Sequence, residues 1–465
     1  MIPYPAYKST NLPWLTKIPE HWEALKIKYA FKERVEKGYP EEPLLAATQN
    51  HGVIPKSLYE TRTVTAQKDL HLLKLVRIGD FVISLRSFQG GIEYAYYQGI
   101  ISPAYTVMIP NSPKLNPQFF KYLAKSKAMI KLLQTCVTGI REGQNIDYET
   151  LKRNSIPIPS LVEQEQIVRY LDSMTAKINK LIRAKKKQIA LLQEQRQAII
   201  NQAVTRGLDP NAEMKDSGID WLGKIPKEWS VLPLKRVCRT NAGISSFIRE
   251  YPDDTLVTFL PMERISANGE IDCSEKRELK EVKSGFTPFA RNDVVVAKIT
   301  PCFENGKGAC LDILDTDIGF GTTELIVLRS EKNKAVPMFL YYVTKTSFFR
   351  KMGAEVMTGS AGQKRVPTEF IANFKCGIPE IDEQNKIVHY LTTKTQSIDM
   401  LIKKIEKEKE FISEYKNSLI SSVVTGQIDV RNIPVEDVIP DDLIPEDDPT
   451  SEIEEEPTTS EESEE

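Results

Sequence analysis

The chain has 465 residues, 41% hydrophobic and 27% charged, with a formal net charge of −2, a length that accommodates roughly two to four domains. No apolar run approaches the roughly 18 residues needed to span a bilayer, and Met1-Ile2-Pro3-Tyr4-Pro5 lacks the basic-then-apolar pattern of a secretory signal, so a soluble cytoplasmic protein is expected. Six scattered cysteines without a CxxC pair, and only four histidines, argue against a metal site and against a disulfide framework.

Residues 1–155 read as a mixed domain. Leu75-Val76-Arg77-Ile78 and Phe81-Val82-Ile83-Ser84-Leu85 are strand-like runs punctuated by Gly79-Asp80 and Gly90-Gly91, and from Pro117 the pattern turns helical through Phe119, Phe120, Tyr122, Leu123, Met129 and Leu132. Residues 156–210 hold a long helix, from about Val162 to Val204, with Ser160 and Glu163 as a capping box. Its apolar residues Ile167, Leu171, Met174, Ile178 and Leu181 follow the 4-3-4-3 spacing of a coiled-coil seam, which falters at Lys185 and Gln188. At 1.5 Å per residue this rod is roughly 60 Å long.

Residues 211–375 form a second mixed domain, with strands suggested by Thr255–Leu260, Asp293–Ala297 and Leu325–Leu328. Residues 376–430 repeat the helix, with a seam of Ile387, Leu391, Ile398, Leu401, Ile405, Ile412 and Leu419 interrupted by Lys394 and Glu408. Two interrupted stripes can be buried on each other, and an antiparallel pair is preferred because it places the two mixed domains at opposite ends. The alternative is that each helix packs only on its own domain. Residues 431–465 carry fifteen acidic side chains against the single Arg431, so residues 1–430 hold a net charge of +12. The tail is too polar to fold and is expected to be disordered, and a basic body points to a polyanion partner. The fold class is α+β: two mixed α/β domains separated by two long helices packed as an antiparallel coiled coil, with a pseudo-twofold repeat.

The repeat is explicit. Pro159, Glu163, Gln164, Ile167, Val168, Tyr170 and Leu171 return at an offset of 220 as Pro379, Glu383, Gln384, Ile387, Val388, Tyr390 and Leu391. Trp14-Leu15, Lys17-Ile18-Pro19 and Trp22 return at an offset of 207 as Trp221-Leu222, Lys224-Ile225-Pro226 and Trp229. The second half is therefore longer between its two landmarks, by the difference between the offsets. The tryptophans are expected as core anchors of each domain.

Catalytic signatures are missing. Gly218 to Lys224 begins like a P-loop, but Ile225 and Pro226 stand where a magnesium-binding hydroxyl belongs. Gly319-Phe320-Gly321 lacks the third glycine of a dinucleotide turn, and there is no GxSxG elbow. A non-catalytic binding protein is expected.

The chain resembles the DNA-specificity (S) subunit of type I restriction-modification systems over residues 1 to about 430. The resemblance rests on the two Trp openings, on Leu85–Ile92 with Gly99–Val107, on Ala297–Lys307 with Gly321-Thr322-Thr323-Glu324, and on Pro159–Leu171 and Pro379–Leu391, each leading to a Val-Thr stop. It implies two target-recognition domains, each reading half of a bipartite double-stranded DNA site, with the helical pair as a ruler between them. It also implies two methyltransferase (M) subunits that bring S-adenosylmethionine, and two restriction (R) subunits that bring ATP and magnesium. No cofactor is expected in this chain. The differing fillings of the two halves imply an asymmetric target, with grooves read about one helical turn, roughly 34 Å, apart. The acidic tail departs from the family pattern.

Base edges are read by Arg or Lys at guanine and by Asn or Gln at adenine, and any exposed cation can meet phosphate. In the first domain the candidate DNA-binding residues are Arg86, Ser87 and Gln89 beside Gly90-Gly91, then Arg141, Gln144 and Asn145 after Gly139. In the second they are Lys298, Thr300, Asn305 and Lys307 beside Gly306, then Ser360, Gln363, Lys364 and Arg365 after Gly359. Thr138-Gly139 and Thr358-Gly359 share the 220 offset, which makes these last loops equivalent. Bland readings stand beside these: Arg86 paired with Glu93, Lys298 as an ordinary strand residue, and Lys185-Lys186-Lys187 as a solvated helix face. The competing function is a coiled-coil structural adaptor that bridges proteins without reading DNA.

Overall fold

The computed structural model describes residues 2–12, 14–49, 51–58, 69–85, 87–138, 145–244, 248, 251–360 and 362–436. Arg86, Arg141, Gln144 and the tail beyond 436 lie outside the described residues. The chain divides into two compact units, one made of Met1–Lys187 with Ile405–Glu465, the other of Gln188–Lys404.

The first unit centres on a four-stranded antiparallel sheet ordered Phe31–Arg34, Thr106–Pro110, Phe81–Ile83, Glu93–Tyr94. Phe31, Phe81 and Phe120 pack face to edge beneath it, with ring centroids 4.5 to 5.7 Å apart. Two helices cover it: Pro117–Ala124, opened by Pro117 and capped by Asn116, and Lys127–Thr135, capped by Ser126. Strand Glu23–Lys26 pairs with Ser155–Ile158, joining the entry of the domain to its exit just before the long helix.

The second unit is built the same way. Its sheet runs Cys238–Thr240, Leu325–Ser330, Val294–Ala297, Gly308–Cys310, all antiparallel. All four residues of Val294–Ala297 are buried, as a strand covered on both faces must be. Helices Pro337–Lys345 and Ser347–Glu355 cover it, and Ser230–Pro233 pairs with Lys375–Ile378. A second sheet, ordered Lys276–Glu278, Leu256–Leu260, Ile318–Gly321, Thr287–Ala290, is peculiar to this unit among the described residues and includes one parallel pair. The expected strands of both domains fall on observed ones with ends shifted by a residue or two, and Leu325–Leu328 extends to Ser330.

The long helices run Leu161–Arg206 and Ile381–Val424, and each contributes to both units. In the first unit, Lys185 Nζ lies 2.7 Å from Glu408 Oε2, Lys416 Nζ donates to Asn179 Oδ1 at 2.8 Å, and Gln166 donates to the Val430 carbonyl at 3.0 Å. Rising numbers on one helix meet falling numbers on the other, so the pair is antiparallel. In the second unit Arg196 meets Asp399 at 3.1 Å in the same sense. Two of the polar interruptions, Lys185 and Glu408, thus answer one another. Ile167, Leu171 and Ile178 share a core with Leu419, Ile420 and Val423, and Ile200 and Val204 share one with Ile387 and Leu391.

Two seam expectations are corrected. Leu181 and Leu401 are 45% and 50% exposed, because a 3.6-residue helix drifts off a strict heptad line and turns them outward. Glu163 completes only half of the capping box. Its backbone N–H bonds Ser160 Oγ at 3.3 Å, but its carboxylate is held by Tyr4 Oη (2.7 Å), Trp22 Nε1 (3.0 Å) and His21 Nε2 (2.8 Å).

Trp22 and Trp229 are fully buried, each stabilising its unit by at most roughly 4–6 kcal/mol through removed apolar area. The turn after each long helix closes on one of them. Gly207 (φ +71°) lies against Trp229, and Gly426 (φ +74°) against Pro19 and Trp22. A side chain at Gly426 would also meet Pro19 Cδ at 2.3 Å, so both conformation and space demand glycine there. Beyond Gly426 the chain docks within the first unit, where the Asp429 N–H donates to the Ile2 carbonyl at 2.9 Å and Arg431 sits over the Tyr4 ring.

Candidate nucleic-acid interface

The two candidate loops of the second unit are neighbours in space. Strand Val294–Ala297 runs out into Lys298, whose N–H donates to the Glu324 carbonyl at 2.9 Å and whose carbonyl accepts from Val366 N–H at 2.8 Å. Two residues on, the Thr300 N–H donates to the Lys364 carbonyl at 3.0 Å, and Thr300 Oγ1 accepts from the Lys364 N–H at 2.8 Å. Thr358 and Arg365 exchange both backbone hydrogen bonds, at 3.1 and 2.8 Å, and Ser360 to Gln363 closes the turn between them. The zipped loops leave Asn305, Ser360, Gln363, Lys364 and Arg365 exposed.

Two of the candidate residues are engaged within the loops. The Thr300 hydroxyl is engaged with the Lys364 backbone in both directions. Lys307 is half-buried, with its ammonium on the Met262 carbonyl at 3.1 Å. Both serve to shape the loops. Lys298 is half-buried at the end of its strand. Arg365 is exposed yet engaged: Nε lies 2.9 Å and Nη2 2.8 Å from the Glu324 carboxylate. Hydrogen bonding from Arg365 holds that carboxyl below its ordinary range, with the Arg365 and Lys298 charges assisting.

The first unit repeats two parts of the scheme with other side chains. Thr138 pairs with Asn145 as Thr358 pairs with Arg365, both at the 220 offset. Asn145 is exposed, its Oδ1 accepting from the Ile146 N–H at 2.9 Å. Gln89 is exposed on the short helical turn Ser87–Gly90. Ser87 is corrected: it is 2% exposed, and its Oγ accepts from the Ser84 N–H at 2.9 Å, which closes the turn from inside. Glu93, buried at 2% exposure, pairs with Lys125. Lys185 is engaged by Glu408.

Two lysines were missed by sequence reasoning. Lys125 Nζ donates to the carbonyls of Gln49 (3.0 Å) and Gly90 (3.1 Å) as well as to Glu93. Lys345, 5% exposed, donates to the carbonyls of Ala267 (3.1 Å), Gly306 and Gly308 (3.0 Å). Burial first, then the charges of Arg196 and Arg350, pull the Lys345 pKa down to about 7. The three carbonyls are what hold its protonated form. A lone lysine at a helix end carries no periodic signal, but these two share the 220 offset, and extending the repeat through Tyr122 and Tyr342 would have found them. Among the described residues no cluster of three or more His, Cys, Asp or Glu could hold a metal ion, and no helix is long and apolar enough to cross a membrane.

Comparison with known proteins fits this geometry. The chain is 38% identical over 213 residues to the type I restriction enzyme EcoAI specificity subunit of Escherichia coli, covering 45% of this chain and 34% of that one. It thus spans about a third of the length of that relative. It is 26% identical over 439 residues to the type I restriction enzyme MjaVIII specificity subunit of Methanocaldococcus jannaschii, covering 92% of this chain and 98% of that one. A solved structure described as "Structural basis underlying complex assembly and conformational transition of the type I R-M system" shares the fold, with a TM-score of 0.63 at 14% identity over 88% of this chain and 99% of that one. The family described as "Type I restriction modification DNA specificity domain" matches twice, over residues 25–191 and 226–410. With most of both mixed domains and of both long helices inside those matches, the chain belongs to the type I restriction-modification DNA specificity family.

Proposed function

We propose that this chain is the DNA-reading subunit of a type I restriction-modification complex, and that its two mixed domains each read one half of an asymmetric, bipartite target in double-stranded DNA. One observation carries the reading: an equivalent pairing and an equivalent turn between strands stand in both units, with different exposed side chains. Asn145 corresponds to Arg365 across equivalent pairings, and the Gln89 turn corresponds to the Asn305 turn between equivalent strands. Equal placement with unequal chemistry is what two half-sites of different sequence require. The exposed amides of Gln89, Asn145, Asn305 and Gln363 suit adenine edges, and Lys364 and Arg365 suit guanine or phosphate.

On this reading the chain works in the cytoplasm and is itself non-catalytic. Two methyltransferase subunits bring S-adenosylmethionine and two restriction subunits bring ATP and magnesium. The outer faces of the long helices carry exposed Val162, Met400, Phe411 and Tyr415, which suit protein docking.

The test is methylome sequencing of cells that co-express the full chain with its methyltransferase subunit. A split, asymmetric methylation motif that vanishes without the chain supports the reading, and exchanging residues 1–155 should then change one half of the motif only. An assembled complex without a motif favours the structural adaptor.

A further inference from the structure

The repeat brings two lysines to equivalent places where neither faces solvent freely and neither is among the groove-facing side chains. Lys125 follows helix Pro117–Ala124 and Lys345 ends helix Pro337–Lys345, again at the 220 offset. Each ammonium spans two loops of its own unit. Lys125 ties the carbonyl of Gly90, next to exposed Gln89, to the carbonyl of Gln49. Lys345 ties the carbonyls of Gly306 and Gly308, next to exposed Asn305, to the carbonyl of Ala267. An ammonium has three N–H donors, and Lys345 spends all three on three carbonyls.

Burying an ammonium is costly unless its hydrogen bonds are satisfied. An apolar residue would fill the Lys345 site without that cost if only a core were needed, whereas Lys125 also answers the buried Glu93 carboxylate. One carbonyl at each site, Gly90 or Gly306, belongs to the turn that presents the candidate reading side chains. Ser87 and Phe303 anchor these turns from inside, but no side chain holds their glycine ends: Gly91 backs on the Ala124 carbonyl, 2.3 Å from where a Cβ would stand, and Gly306 (φ +71°) lies beside the Arg350 side chain. The direction of that end is set by what grips its backbone.

We propose that Lys125 and Lys345 are positioning residues for base reading, each fixing the glycine turn of its own domain from behind, so that discrimination at each half-site depends on one lysine. The proposal rests on the DNA-reading function above. It predicts independence: each lysine governs one half-site.

The experiment uses the full chain assembled with its methyltransferase subunit, in wild-type form and as Lys125→Met and Lys345→Met. Affinity is measured for the cognate duplex and for duplexes with single-base changes in either half-site. Lys345→Met should lower discrimination about tenfold at the half-site of the second domain and leave the other half-site strict, a shift within the range of one base contact; Lys125→Met should do the converse. Equal loss at both half-sites, or weaker binding with unchanged discrimination, would make the lysines merely structural and overturn the proposal. Should Lys345→Met fail to assemble, Lys345→Arg takes its place, since a planar guanidinium keeps the charge but cannot meet three carbonyls arranged for an ammonium. Failure of both variants to assemble also overturns it. A wild-type complex that shows no sequence preference would refute the DNA-reading function itself, a separate outcome.

Discussion

Arg365 grips the carboxylate of Glu324 with two nitrogens, Nε at 2.9 Å and Nη2 at 2.8 Å, on the exposed edge where the two loops of the second unit meet. A guanidinium so held is oriented but not free, and DNA must compete with Glu324 for it. Glu324→Gln should release Arg365 and remove a negative charge from the interface. Non-specific DNA binding should tighten, and the slope of log affinity against log salt should steepen by about one unit. Filter binding between low and moderate salt checks this, and an unchanged slope would place Arg365 away from the DNA.

The same pair sets a pH dependence. Glu324 titrates below its ordinary range in the folded chain, chiefly because Arg365 donates to its ionised form. A lowered folded pKa stabilises the fold above the unfolded value, and that contribution is lost as pH falls through the folded value. The carboxyl resonance of Glu324 should therefore titrate below the ordinary glutamate range in the wild type and return toward it in Arg365→Gln. A wild-type midpoint at the ordinary value would show that the pair does not form in solution.

Gln164 and Gln384 hook the start of each long helix to its own domain. Gln164 accepts from the Asn116 N–H at 2.7 Å and donates to the carbonyls of Lys114 and Pro159 at 2.8 and 2.9 Å. Gln384 repeats this with Val336 (2.8 Å), Lys334 (3.1 Å) and Pro379 (2.8 Å). Both are fully buried. Replacing either by Leu removes three hydrogen bonds, one of them buried, at a cost of about 2–4 kcal/mol. Denaturant unfolding checks it, and a loss below about 0.5 kcal/mol would mean that the backbone groups find other partners.

The two anchoring tryptophans differ in one bond. Trp22 Nε1 donates to Glu163 at 3.0 Å, whereas Trp229 Nε1 has no hydrogen-bond partner among the described residues. Trp22→Phe should therefore destabilise more than Trp229→Phe, by roughly 1–2 kcal/mol, since it strips a donor from a buried carboxylate. Equal losses would show that Tyr4 and His21 already satisfy Glu163.

Within the first unit the seam charges Lys185 and Glu408 meet at 2.7 Å, with 23% and 40% of their side chains exposed. Glu408→Lys should weaken the helical pair, and adding Lys185→Glu should restore it, with a coupling of about 0.5–1 kcal/mol after solvent screening. Thermal unfolding of the four combinations measures it. Zero coupling would leave Lys185 on a solvated face.

Much of this architecture was legible because repeats and periodicity are properties of the chain itself. The 220 offset located both long helices, and the interruptions at Lys185 and Glu408 proved to be partners. The interface was only partly legible. Asn305, Gln363, Lys364 and Asn145 are exposed as expected. Ser87 and Thr300, however, spend their hydroxyls on neighbouring backbone, because a small hydroxyl beside a turn satisfies local N–H groups as readily as a ligand. Lys345 escaped notice because its acceptors are main-chain carbonyls, which leave no residue type to recognise, and Lys125 because Glu93 was paired with Arg86 instead.

The division of the chain into Met1–Lys187 with Ile405–Glu465, and Gln188–Lys404, has a consequence for biosynthesis. The second unit is one uninterrupted stretch and can fold as soon as it leaves the ribosome. The first must hold the apolar faces of Trp22, Ile167, Leu171 and Ile178 incomplete until Leu419, Ile420 and Val423 are made. At about 5–20 residues per second, the wait from Ile178 to Leu419 is roughly twelve to fifty seconds. The half of the protein translated first is thus the half completed last, and it is the one that most needs chaperone cover while nascent.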